Sequence, residues 1–119
     1  MNAFRRRLQY ALQGWAYFFR KEANGQIQGV IALLVIIAGF VFGISAKEWL
    51  WILLCIGLVL GLEMVNTAIE TLADRLHPEK HPEIKSVKDV AAGAVLWAAV
   101  ISVIVGVIIF LPKIWDKWV

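Results

Sequence analysis

Cysteine is nearly absent from this chain of 119 residues: Cys55 stands alone, which excludes an intrachain disulfide and any cluster of thiolate metal ligands. It lies inside an apolar run and reads as a packing residue. Charge is also scarce. Asp, Glu, Lys and Arg make up 18% of the residues against 61% hydrophobic, more apolar surface than a soluble domain of this length encloses in one core. No G-x-x-x-x-G-K-[ST] segment occurs, so the usual phosphate-cradling loop is excluded. Internal repeats and low-complexity segments are missing too, and residues 1–119 read as a single domain. Met1 to Lys21 alternate arginines with aromatics and hold no continuous apolar segment before a small-residue cleavage site. A signal peptide is therefore not expected, and the run that follows is expected to remain in the mature protein.

Long hydrophobic runs are what the chain has in quantity. Ile27 to Ala46, Trp49 to about Ile69, and Val90 to Leu111 each approach the roughly 20 residues that cross a hydrocarbon layer as a helix. The expected fold is an all-α membrane protein with transmembrane helices over about 27–46, 49–72 and 90–111. Trp15, Trp49, Trp51, Trp115 and Trp118 fall near the ends of these runs, where amphipathic rings prefer the headgroup zone, and Trp97 lies inside one. Before the first span, Phe4, Leu8, Ala11, Leu12, Trp15, Phe18 and Phe19 recur at helical spacing among arginines and glutamines. This predicts an amphipathic surface helix over about 2–20, either a simple anchor or a cover for a site at the membrane surface.

The net charge of +3 does not require nucleic acid, because the basic residues flank the spans, where anionic headgroups account for them. Nine of the twelve lysines and arginines fall on one side: Arg5, Arg6, Arg7, Arg20, Lys21, Arg75, Lys80, Lys85 and Lys88. Lys47, Lys113 and Lys117 fall on the other. The positive-inside rule then predicts a cytoplasmic N-terminus, a cytoplasmic loop from about Thr71 to Asp89, and a C-terminus outside. The turn Gly43 to Glu48 is too short to hold a domain, whereas Pro78 and Pro82 stop one helix from running through "RLHPEKHPEIKSVKD".

The second span ends in "GLEMVNTAIETLADR". At about 100° per residue, with Glu63 at zero, Asn66 falls near −60°, Glu70 near −20° and Asp74 near +20°, so all four share roughly an 80° arc. Along the axis they extend over about 16 Å, from membrane depth at Glu63 to water at Asp74. A carboxylate at membrane depth costs a few kcal/mol and marks a functional group by default. The plainer reading is that Glu63 and Asn66 join neighbouring helices by hydrogen bonds. Glu22 opens the first span at the same boundary, and Lys88 and Asp89 open the third. Mg²⁺ takes one or two carboxylates plus phosphate oxygens, which Glu22 and Glu70 could supply, a lysine could balance phosphate charge, and Glu63 suits a general base. Together these describe phosphoryl transfer to an alcohol that lives in the membrane. Two other classes fit less of the pattern: a small proton-coupled transporter with Glu63 as its proton site, and a non-catalytic assembly subunit. His77 and His81 stand at the spacing of a metal pair, but the prolines around them favour a solvated loop.

"GLEMVNTAIETLADR" followed by "KSVKDVAAGAVL" resembles the signature of the small prokaryotic diacylglycerol kinase and undecaprenol kinase family, over about Tyr10 to Gly106. The resemblance implies a homotrimeric bundle in the bacterial inner membrane, with ATP as co-substrate, Mg²⁺ as cofactor, and active sites shared between adjacent chains. Glu63 matches the general base and Asn66 the asparagine that orients base or phosphate. Glu22 and Glu70 match the ligands of the ATP-bound metal, and Tyr10, Glu79, Lys80, His81, Lys88 and Asp89 match nucleotide-contacting positions. Asn24 and Gln28 match the stretch near the lipid headgroup. Ala3 stands where the family carries an arginine, so Arg5, Arg6 or Arg7 would take its part. The family implies a lipid kinase acting on undecaprenol or diacylglycerol, and the wording "KDVAAGAVL" is closer to the undecaprenol kinases.

Overall fold

The computed structural model describes residues 2–119, and every element among them is helical. Helix α1 spans Ala3–Lys21, α2 Ala23–Phe42, α3 Ala46–Leu76 and α4 Pro82–Trp118. The last three are each long and apolar enough to cross a membrane. Their surfaces agree with that environment: Phe40, Leu50, Val90, Leu96, Trp97 and Ile108 are all exposed, as side chains facing lipid would be.

Each helix begins and ends for a local reason. The Asn2 side chain accepts from the Arg5 N–H at 2.8 Å and starts α1. Glu22 takes extended backbone (φ −95°, ψ 128°), so the chain turns from α1 into α2 within one residue. Two devices hold this corner. The Gln26 side-chain amide donates to the Arg20 carbonyl at 2.8 Å, and α1 packs on α2 where two glycines leave room. A Cβ on Gly25 would collide with the Phe18 carbonyl, and one on Gly29 would come within 3.3 Å of the Phe19 ring. Phe18 is accordingly buried, while Phe4, Leu8, Leu12 and Trp15 on α1 stay exposed.

At the opposite end, α2 and α3 form a hairpin. Gly43 takes the left-handed conformation (φ 60°, ψ 49°) that glycine adopts without steric cost, and its N–H caps α2. Ser45 and Glu48 then form a reciprocal capping box: the Ser45 hydroxyl accepts from the Glu48 N–H at 3.2 Å, and the Ser45 N–H donates to the Glu48 carboxylate at 2.9 Å. Lys113 of α4 reaches the same carboxylate at 3.1 Å, and Lys117 lies 5.5 Å from the Phe42 ring centroid. The apolar core sits nearby, with Ile44, Ile52 and Ile109 buried and Val35, Trp49, Ile56, Val105 and Phe110 packed around them.

The spans differ from the sequence expectation mainly at their ends. At 31 residues α3 is about 46 Å long, some 16 Å more than a hydrocarbon layer. It continues in regular form to Leu76, carrying its acidic face out of the apolar zone. Helix α4 starts at Pro82, whose missing N–H is no loss at a first helical position, with the His81 ring accepting from the Glu83 N–H at 3.2 Å. It runs on past the expected limit at Leu111, through Pro112, to Trp118. The loop of residues 77–81 is all that separates α3 from α4, and those two helices pack together most extensively.

Gly25→Val should force α1 away from α2 without removing a span. The measurement is trypsin cleavage after Arg20 or Lys21 in bilayers: faster cleavage in the variant is expected, and wild-type rates would show that the glycine contact does not hold the corner.

Candidate functional site

Glu63 and Asn66 are the polar residues buried among those described, with 6% and 4% of their surface exposed. Both lie on α3, three residues apart and so on one helix face. The Asn66 amide nitrogen donates to the Glu70 carboxylate at 3.2 Å, one turn nearer the loop end. The other Asn66 atom, Oδ1, is buried and has no partner. Glu63 and Glu70 lie within electrostatic reach of each other, so two carboxylates and an amide form a column along α3. Glu70 is half-buried, and neither it nor Glu22 takes part in an ion pair among the described residues.

An apolar cavity of about 310 Å³ lies between α2, α3 and α4. Val59 and Leu60, which line it, are four and three residues before Glu63, so the cavity occupies the same face of α3 directly beneath the carboxyl group. Gln28 of α2 and Ser102 of α4 supply polar atoms to an otherwise hydrocarbon wall, and the Ser102 hydroxyl is buried without a partner.

A second, wetter pocket of about 640 Å³ opens at the loop end, where the 77–81 segment folds over the start of α4. Asp74, Glu79, Lys80, His81, Lys88 and Asp89 line it. Lys88 donates to Asp74 at 2.7 Å across the two helices, and Lys85 pairs with Asp89 at 2.6 Å along α4. Glu70 and Asp89 also act on the Lys88 charge, which places this ammonium between the acidic column of α3 and the pocket. The imidazole rings of His77 and His81 pack 4.9 Å apart, as loop neighbours held by backbone contacts. Among the described residues no group of three or more His, Cys, Asp or Glu is arranged to hold a metal.

The structure thus gathers the sequence-derived residues into two groups. Glu63, Asn66 and Glu70 form the column, while Glu79, Lys80, His81, Lys88 and Asp89 share the pocket. Gln28 borders the apolar cavity. Glu22 and the exposed Asn24 sit at the α1–α2 corner, at the same end of the bundle as Glu70, and Tyr10 lies on the exposed surface of α1. None of these last three lines either cavity. Two features went unforeseen. The Lys88–Asp74 pair joins residues fourteen apart across a turn and leaves no local trace in the sequence. Ser45-x-x-Glu48, by contrast, is a capping signature that the sequence displays openly.

A helical scaffold with three spans long and apolar enough to cross a membrane, a buried carboxylate above an apolar cavity and a pocket of lysines and carboxylates at one end has the parts of an integral-membrane enzyme. The model of the family described as prokaryotic diacylglycerol kinase matches residues 9–110, and the chain belongs to that family of kinases. It is 43% identical over 114 residues to an undecaprenol kinase of Bacillus subtilis (strain 168), covering 96% of this chain and 93% of that protein. A diacylglycerol kinase of Escherichia coli (strain K12) is 30% identical over 95 residues, with 80% of this chain and 78% of that protein covered. A diacylglycerol kinase of Synechocystis sp. is 36% identical over 107 residues, 89% of this chain but 61% of the longer relative.

Asn66→Ala deletes a part-buried hydrogen bond and should lower stability by about 1 kcal/mol. Thermal unfolding in bilayers or detergent checks this: a reduced midpoint is expected, and an unchanged midpoint would show that the amide does not brace the column.

Proposed function

We propose that this chain is an ATP- and Mg²⁺-dependent lipid kinase that moves the γ-phosphate to the primary hydroxyl of a membrane lipid alcohol, giving a lipid phosphate and ADP. The observation that carries the reading is the position of Glu63. It is buried on α3 directly above an apolar cavity, on a helix face that continues through Glu70 to Asp74 at the loop pocket. A lipid alcohol whose chain enters the cavity sideways from the bilayer brings its hydroxyl to this carboxylate. Glu63 takes the hydroxyl proton, the oxygen bonds to the γ-phosphorus in line, and the bond from that phosphorus to the ADP oxygen breaks. Asn66 holds Glu70 in place through its amide nitrogen, while its buried Oδ1 has no partner within the chain.

Glu22 and Glu70 would hold Mg²⁺: both are carboxylates free of ion pairs among the described residues and lie at the same end of the bundle, and a cation whose shell phosphates complete needs few protein donors. Held by these two carboxylates, Mg²⁺ would supply neutralisation of the charge on the transferring phosphoryl group. Lys88, with Asp89, Glu79, Lys80 and His81, takes the nucleotide in the loop pocket, and Tyr10, which lines neither cavity of its own chain, would meet it in a site shared between adjacent chains. Asn24 and Gln28 meet the lipid headgroup. The chain is a single domain placed in the bacterial cytoplasmic membrane, with its N-terminus inside and C-terminus outside, as the charge asymmetry favours. A homotrimer would cover the open faces at Gly57 and Gly61 of α3 and Gly93 of α4, where an added Cβ meets nothing within the chain. The names of the relatives admit undecaprenol or diacylglycerol as acceptor, and the 43% match to an undecaprenol kinase favours the former.

Glu63→Gln should reduce turnover by at least about 100-fold, the lower range for loss of a general base, while ATP binding and assembly are preserved. Purified protein given γ-labelled ATP and each lipid in turn, with products separated by chromatography, checks this; near-normal labelling by the variant would refute the assignment. Glu22→Gln and Glu70→Gln should each raise the Mg²⁺ concentration needed for half-maximal rate, and an unaltered Mg²⁺ dependence would remove them as ligands.

A further inference from the structure

Asp74 has no part in the scheme above, yet it makes the shortest polar link between α3 and α4: the Lys88 ammonium donates to its Oδ1 at 2.7 Å. Asp74 is one turn beyond Glu70 on the same face of α3, so it ends the acidic column at the margin of the loop pocket. Both partners line that pocket. Their side chains remain 63% and 36% exposed, and ion pairs at such exposure add little to folding stability. Their value lies in where they put the ammonium.

A lysine side chain is a flexible stem with large rotamer entropy, ending in a point charge with three N–H donors. Left alone at a helix start, Lys88 would sample water, Asp89 and the pocket alike. The second lysine of this segment shows the alternative, since Lys85 is drawn along α4 to Asp89 at 2.6 Å. That pairing occupies Asp89, and Asp74 then fixes Lys88 from the facing helix. One donor is used on Asp74, and two remain for oxygen atoms in the pocket.

We infer that Asp74 is a positioning residue for phosphoryl transfer: from α3 it holds the Lys88 ammonium at the edge of the loop pocket, so that its remaining N–H donors meet the phosphate oxygens of the nucleotide. The inference rests on the kinase reading above. Because Asp74 acts through a group that touches nucleotide throughout the reaction, its loss raises the KM for MgATP and leaves kcat and the lipid KM alone.

The test uses the full chain in bilayer nanodiscs. Asp74→Ala should raise the KM for MgATP about fivefold, the most a surface ion pair of this kind supplies, with kcat and the lipid KM changed by less than about twofold. Asp74→Glu should recover most of the loss, and thermal stability should be unchanged in both. Calorimetric affinity for a non-hydrolysable ATP analogue completes the cycle: in a Lys88→Met background, Asp74→Ala should cause no further loss. An unchanged or lowered KM for MgATP in Asp74→Ala would overturn the inference, a lowered one indicating that Asp74 merely competes with phosphate for Lys88. An undiminished effect in the Lys88→Met background would overturn it too, because Asp74 would then act by another route. Wild-type protein that forms no lipid phosphate from ATP would defeat the kinase reading and this inference together, whereas normal wild-type turnover with a silent Asp74→Ala defeats the inference alone.

Discussion

A carboxyl group at membrane depth must be kept from hydrocarbon, and the rest of this chain is arranged around that requirement at Glu63. Burial within the bundle meets it. The helix that carries this group must be longer than the bilayer is thick, so that the same face can leave the apolar zone and reach water. At 31 residues α3 satisfies this, and its polar positions Glu63, Asn66, Glu70 and Asp74 repeat at three- and four-residue intervals.

The requirement also explains why the two ends of the bundle are built differently. At the hairpin end a left-handed glycine, a capping box, the Glu48–Lys113 pair and the isoleucine core fix how α2, α3 and α4 meet. With that end held by packing, the loop end can be given over to polar groups that contribute little cohesion. There the links between elements are the Lys88–Asp74 ion pair and a single-residue corner at Glu22, beside an open pocket. Between the ends, an apolar cavity of about 310 Å³ lies beneath Glu63.

Much of this was legible in the sequence because the membrane imposes a strong signal. Three apolar runs near 20 residues gave three spans, and helical spacing of Phe4, Leu8, Leu12 and Trp15 gave the surface helix. Hydropathy marks only the part of a helix that lies in lipid, which is why α3 and α4 extend past the expected limits to Leu76 and back to Pro82. The start of α2 at Ala23 was missed for the same reason, since Asn24, Gly25 and Gln26 are helical without being apolar. Periodicity on one helix placed Glu63, Asn66 and Glu70 on a common face, as the hydrogen bond between the last two requires. Relations between helices left no such trace. Lys88 was expected to face phosphate, but its hold on Asp74 depends on how the 77–81 loop sets α4 against α3.

The proposed kinase mechanism requires one spatial relation: the carboxylates of α3, together with Glu22, would have to stand around the same metal-bound nucleotide, with Glu63 nearest the lipid. Solid-state NMR of the carboxyl carbons in bilayers, with Mn²⁺ and a non-hydrolysable ATP analogue as a paramagnetic probe, measures it directly. Loss of the Glu22 and Glu70 signals and strong attenuation of Glu63, with Glu48 at the hairpin end unaffected, is the expected result. Undiminished signals from Glu63 and Glu70 when the nucleotide site is filled would contradict the account.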